Sequence, residues 1–236
     1  MALMPDPNGY LGPSSNSVGI QGAWYAYGDD WGPNGAPPGD CEKKGMHPAA
    51  ACSTITFPPQ GMASDAGDGG FTSTFPQSTP GTMCLSGTAA KVISTDYSNI
   101  FGIGIGLDFN NVGGVKMPWN ATMNKVVGFT FKITGIPTGA SVRVELPIPA
   151  TDAAGSDSYA KTVSADGQVT LDLATVKSGD VNGLQPAFTP TGTEPAWDPT
   201  MIESIQFHVP TNTMNAITIP DSMRLCVSDF QALVKP

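Results

Sequence analysis

Charge is scarce in this chain. Only 13% of its 236 residues are Asp, Glu, Lys or Arg, about half the share usual in globular proteins. Eleven basic residues stand against twenty acidic ones, for a formal net charge of −9, and no basic run exceeds Lys43-Lys44. A phosphate backbone would meet no counter-charge, which excludes nucleic acid as a partner. An anionic polymer is disfavoured too, unless a cation bridges it. Long apolar runs are also missing: none approaches the ~20 residues of a membrane helix, so membrane insertion is not expected. Residues 1–8 have neither the charged start nor the apolar stretch of a secretory leader.

The motifs of familiar chemistry are missing as well. The chain has no Gly-x-Ser-x-Gly elbow, no His-Glu-x-x-His and no phosphate loop, so no catalytic residue is assigned. No Cys-x-x-Cys pair occurs, and of the two histidines, His47 and His208, only His47 lies near any cysteine in sequence. A zinc site is therefore not expected.

What is present is turn-forming and apolar. Gly 28 and Pro 22 together make up near a fifth of the chain, while 40% of residues are apolar; interleaved in this way they signal many turns between buried strands. Four cysteines, Cys41, Cys52, Cys84 and Cys226, allow three pairings. The preferred set joins Cys41 to Cys52 and Cys84 to Cys226; the alternative is four buried thiols. Disulfides place the chain outside the cytoplasm, secreted or at the cell surface, after removal of an export signal.

Strand signals recur after about residue 80 as period-two alternation. In residues 102–110, Ile103, Ile105, Leu107 and Phe109 share one face, opposite Gly104, Gly106, Asp108 and Asn110. Residues 126–133 set Phe129, Phe131 and Ile133 against Thr130 and Lys132. Residues 141–146 set Val142, Val144 and Leu146 against Arg143 and Glu145. Residues 202–209 set Ile205, Phe207 and Val209 against Gln206 and His208. Residues 163–176 read as a hairpin around Asp166-Gly167. About ten short strands at this spacing predict an all-β, antiparallel jelly-roll β-sandwich. Residues 1–19 read as a flexible N-terminal segment, and residues 20–236 as a single sandwich domain. Within that domain, residues 32–70 form a loop-rich insert closed by a disulfide.

The order of these pieces carries a resemblance. Gly22-Ala23-Trp24-Tyr25-Ala26-Tyr27 comes first, then Ser86-Gly87-Thr88-Ala89-Ala90, Gly104–Asn110 and the Val-Val-Gly-Phe-Thr-Phe-Lys strand ending at Lys132. Val142-Arg143-Val144-Glu145-Leu146-Pro147, Trp197-Asp198-Pro199 and the final Leu225-Cys226-Val227-Ser228-Asp229-Phe230 follow. In this order the chain resembles the galactose-binding-like jelly roll of secreted bacterial carbohydrate-binding modules. The resemblance implies sugar binding on a concave sheet face. It also implies a structural calcium between early loops and the acidic residue of the last strand, here Asp229, with Asp29 and Asp30 as further oxygen donors.

Candidate ligand-binding residues are Asp108, Arg143, Glu145, Gln206 and His208, and Lys132 with them, provided neighbouring strands turn these side chains to one surface. There, planar polar groups would pair with sugar hydroxyls; the alternative is a solvated polar face. Tyr25, Tyr27 and Trp31 add rings that match the apolar C–H face of a sugar. Trp24 points opposite to Tyr25 and Tyr27 and belongs to the core. Trp119 and Trp197, at loop positions, are more readily read as core plugs than as platforms. The leading expectation is a non-catalytic polysaccharide-binding domain. One alternative is a self-associating structural protein of the cell envelope; another is a carbohydrate-active enzyme using Glu145, Asp108 and His208.

Overall fold

The computed structural model describes residues 1–6, 9–29, 52–57, 81–91, 101–154, 157–177, 179–187 and 194–236. Two sheets face each other. The six-stranded sheet runs β1 (Tyr10–Leu11), β2 (Gly22–Gly28), β5 (Gly102–Asp108), β13 (Ser204–Pro210), β9 (Val142–Leu146), β10 (Tyr159–Val163). The seven-stranded sheet runs β12 (Gly183–Leu184), β11 (Gly167–Val176), β8 (Val126–Thr134), β15 (Leu225–Val234), β4 (Met83–Ala89), β14 (Ile217–Ile219), with β3 (Thr54–Phe57) also beside β4. A small hairpin, β6 (Asn111–Val112) and β7 (Val115–Lys116), projects after β5. Every pairing between these strands is antiparallel except the short β11–β12 contact. The chain crosses between sheets from β2 to β4, back to β5, over to β8, back to β9 and β10, over to β11, back to β13 and over to β15. This winding is the expected jelly roll.

The alternation read from the sequence selects the core. Ile103, Ile105, Leu107, Val142, Val144, Leu146, Ile205, Phe207 and Val209 all point from the six-stranded sheet into one buried cluster. Phe129, Phe131, Ile133 and Phe230 meet them from the seven-stranded sheet. The rings interlock: Phe131 meets Phe207 edge-on at 5.0 Å, and Phe129 stacks on Phe230 at 5.4 Å. Each fully buried ring contributes about 1.5–3 kcal/mol over leaving it exposed. Trp24, 2% exposed, joins this core against Phe207. Trp119 plugs the interior with its indole N–H donated to the Val18 carbonyl, and Trp197 donates to the Leu173 carbonyl beside Tyr159.

Cys84 and Cys226 sit opposite each other on β4 and β15 and form the expected disulfide across 142 residues of sequence. Cys52 is also disulfide-bonded; Cys41 lies outside the described residues, as does most of the insert over residues 32–70.

Two expectations are corrected. Residues 1–6 and 9–19, expected to be a flexible segment, are part of the sandwich. Leu3, Leu11 and Val18 are buried in the core, Leu3 donates its N–H to Phe230 and Ala232 donates to Met1. Single apolar anchors between turn residues carry no period, so the sequence pattern hides them. The Asp166-Gly167 turn does not close a hairpin either: β10 pairs with β9 in one sheet and β11 with β8 in the other. The turn is a corner between sheets. The Asp166 carboxylate holds it by accepting hydrogen bonds from the Gly135 and Ile136 amides, at 2.9 Å each. No helix among the described residues is long and apolar enough to cross a membrane.

Candidate functional site

The face of the six-stranded sheet turned away from the core gathers the predicted polar residues. Strand register lines them up in two rows. Tyr25 of β2 pairs with Gly106 of β5, which faces Gln206 of β13, which faces Glu145 of β9. One step along, Tyr27 pairs with Gly104, then His208, then Arg143. Cross-strand partners share a face at about 4.5–5.5 Å, so each row is a continuous strip of side chains. Asp108 extends the face, opposite Ser204.

The glycines shape the strip. A β-carbon on Gly104 would stand 2.4 Å from Cζ of Tyr27, and one on Gly106 would stand 2.3 Å from Cζ of Tyr25. Each tyrosine therefore lies across its neighbour's bare backbone, a close approach only glycine permits. The alternating glycines of β5 were the available signal for this arrangement, and alternation alone did not reveal what they accommodate.

The polar groups form a wired cluster, and they are buried rather than solvated: Asp108, Glu145 and His208 are 6%, 8% and 9% exposed. His208 Nδ1 lies 3.1 Å from Glu145 Oε1, and Nε2 lies 2.8 Å from the Phe101 carbonyl. Both partners only accept, so both ring nitrogens carry protons and His208 is an imidazolium. Burial opposes that charge, but the Glu145 carboxylate outweighs it and holds the His208 pKa above its usual 6.5. Burial likewise pushes Glu145 up, yet His208 and Arg143 bring its pKa below the usual 4.5. Arg143 bridges Glu145 Oε1 at 3.3 Å and Asp157 Oδ2 at 3.0 Å. Oε1 of Glu145 thus receives both cations.

Around Tyr25 a second cluster forms. Gln206 donates to the Tyr25 hydroxyl at 3.1 Å. Lys116 on β7 pairs with Asp108 at 3.4 Å and lies 6.0 Å from the Tyr25 ring centre, while Asn111 on β6 donates to Asp108 Oδ2 at 2.9 Å. Phe101 stacks beside Tyr27 at 6.4 Å. Lys116, Asn111, Phe101 and Asp157 were missed from the sequence because they sit on a hairpin or at strand ends, where no period marks them. Among the described residues the buried Tyr27 hydroxyl makes no hydrogen bond, and Asp108 Oδ1 is held by its ion pair with Lys116. Burial, with Glu145 nearby, raises the Tyr27 pKa well above its usual 10, so the phenol stays protonated and available as a donor.

Other expected residues lie elsewhere. Lys132 is on β8 of the opposite sheet, so it does not share this face. Trp31 and Asp30 lie outside the described residues. Asp29 follows β2, and its carboxylate is taken up by the Ser53 amide at 2.6 Å, the Ser53 hydroxyl at 2.7 Å and the Gly102 amide at 3.1 Å. Asp229 sits in the other sheet, on β15, at a positive φ of 52° where the pairing with β8 shifts register. Among the described residues no three His, Cys, Asp or Glu side chains gather as a metal site.

No family model matches the chain, and no curated protein matches it either. Solved structures do. The structure of PfGH50B matches 66% of this chain at 13% identity and a TM-score of 0.34, with 22% of its own length covered. The agarase AgWH50C matches 65% at 10% identity and a TM-score of 0.36, with 21% covered. CtCBM11, described by its solution structure and binding studies, matches 66% at 14% identity and a TM-score of 0.29, with 89% covered. The chain thus spans about a fifth of the length of the first two. At these scores the likeness is coarse, and the functional reading rests on the chain's own residues.

Proposed function

We propose that this chain is a non-catalytic glycan-binding domain acting outside the cytoplasm, and that it binds on the tyrosine-bearing face of the six-stranded sheet. The observation that carries this reading is the buried Tyr27 hydroxyl, which makes no hydrogen bond among the described residues. A buried polar atom without a partner costs about 1–3 kcal/mol, and here it shares a face with charged side chains. Sugar hydroxyls both donate and accept, so one can accept from this phenol while its neighbours meet the charged side chains. The partly exposed Tyr27 ring suits the C–H face of the same molecule.

The wiring favours binding over catalysis. Both nitrogens of His208 are committed to acceptors, and the Tyr27 phenol is held protonated, so neither is poised to take a proton. The charges are also paired: Lys116 with Asp108, and Arg143 and His208 with Glu145 and Asp157. With a chain charge of −9, a neutral polysaccharide is the better partner. A retention assay on gels containing neutral or sulfated polysaccharides tests this, comparing wild type with Glu145→Gln. Retention by a neutral polymer, weakened about tenfold or more in the variant, is expected for a hydrogen bond to a charged group. Equal retention of both proteins would refute the site.

One feature favours the alternative of an assembly protein. The β6–β7 hairpin exposes Val112 and Val115, with Met117 exposed just beyond. Sedimentation showing a dimer that Val112→Ser with Val115→Ser dissolves would support that reading.

A further inference from the structure

A second concavity is built from the seven-stranded sheet and shares no residue with the tyrosine-bearing face. It is a cleft of about 430 Å³ formed where the start of β8, the residues following β15 and the part of β11 beyond its pairing with β8 come together, with Thr122 and Pro199 from neighbouring turns. Its lining is mostly apolar: Val126 and Leu173, both members of the core cluster, with Val127 and Pro199. A cleft of this size, apolar with a few convergent polar groups, has the character of a small-molecule site. The charged side chains that line it are Lys125 and Lys235. The Lys235 N–H donates to the Lys125 carbonyl at 2.8 Å, which fixes the two residues side by side. Neither ammonium makes an ion pair among the described residues. The acidic residues adjoining the lining in sequence are engaged locally: Asp172 accepts from the Ala174 amide and the Thr175 hydroxyl, and Asp198 from the Thr200 amide and hydroxyl. In a chain of net charge −9, this cleft carries two cations without a counter-charge.

The backbone at Lys125 adds an independent observation. Its φ of 57° makes it one of two non-glycine residues, among those described, in the left-handed region. The turn into β8 requires that conformation: Lys125 donates to the Thr122 carbonyl at 3.1 Å and Val126 to the Ala121 carbonyl at 2.9 Å. Glycine or asparagine fills such a position at less cost, and strained positions of this kind gather at functional sites. We propose that the cleft binds a small organic carboxylate with an apolar body. The body lies against Val126, Val127, Leu173 and Pro199, and the carboxylate is held between Lys125 and Lys235 by charge-assisted hydrogen bonds. A compact inorganic anion would leave the apolar lining unused, and a neutral apolar molecule would leave the two cations unpaired. The site stands or falls independently of the glycan-binding reading.

Titration of the whole chain with octanoate, followed by its amide NMR resonances, tests this. Octanol, with the same chain and no charge, and inorganic phosphate, with charge and no chain, serve as comparisons. Octanoate is expected to bind saturably and to shift Lys125, Val127 and Lys235. Its affinity is expected to be about tenfold or more above that of octanol or phosphate, and to weaken as salt is raised. Lys125→Gly removes one cation while suiting the positive φ, so the variant is expected to unfold no more easily than wild type and to lose octanoate affinity about tenfold or more. Lys235→Gln removes the other cation without touching the turn, and a comparable loss is expected. Octanol binding as tightly as octanoate would overturn the anion site, and phosphate binding as tightly would overturn the role of the apolar lining. Wild-type affinity in both lysine variants, or no saturable binding of octanoate, would equally sink the proposal.

Discussion

His208 is the residue on which the electrostatics of the face turn. Its folded-state pKa lies above the ordinary 6.5, so the stability it contributes is fully present below about 6.5 and is lost as pH rises through the folded value. Glu145 has the opposite sign: held below 4.5, it contributes above that value and loses its contribution as pH falls through the folded one. Both contributions overlap between 4.5 and 6.5, where the pair stabilises most. The chain has two histidines, so imidazole resonances are easily separated by NMR. His208 is expected to titrate above 6.5, and Glu145→Gln is expected to lower that value. A midpoint at or below 6.5 in wild type would contradict an imidazolium held by Glu145. The candidate residues were legible from the sequence because alternation assigns a face to each strand residue. Alternation does not say which strands become neighbours, and this is why Lys132 was grouped with residues of the other sheet.

The elements show where pattern stops being informative. Long strands of mixed apolar and polar residues, such as β8, β9 and β13, stood out by their period. The hairpin expected over residues 163–176 failed because Asp-Gly marks a turn without specifying which strands it joins. At that corner, Asp166→Ala removes two hydrogen bonds to backbone amides. It is expected to lower stability by about 1–3 kcal/mol in denaturant unfolding, and a change below a few tenths would show that the corner holds without it. The Cys84–Cys226 bond ties β4 to β15 over 142 residues. Replacing both cysteines by serine is expected to cost about 3–5 kcal/mol in the same assay, chiefly by freeing the unfolded chain. The double variant is preferable to a reductant, because Cys52 is disulfide-bonded too.

At the scale of the whole molecule, the sandwich follows from composition: low charge, frequent turns and alternating apolar residues leave few other ways to bury a core. The site follows less directly. It needs four strands distant in sequence, β2, β5, β13 and β9, to lie side by side, and it needs glycines whose meaning appears only once the tyrosines are seen lying across them. The placement of a glycan on this face, and not on the opposite sheet or the β6–β7 hairpin, is open to direct observation. Its most direct test is an NMR titration of protein labelled at tyrosine and histidine with a neutral oligosaccharide that the gels identify. Saturable shifts are expected at Tyr25, Tyr27 and His208, with Tyr159 unmoved. Shifts confined to residues away from the two rows, or none at saturating ligand, would contradict it.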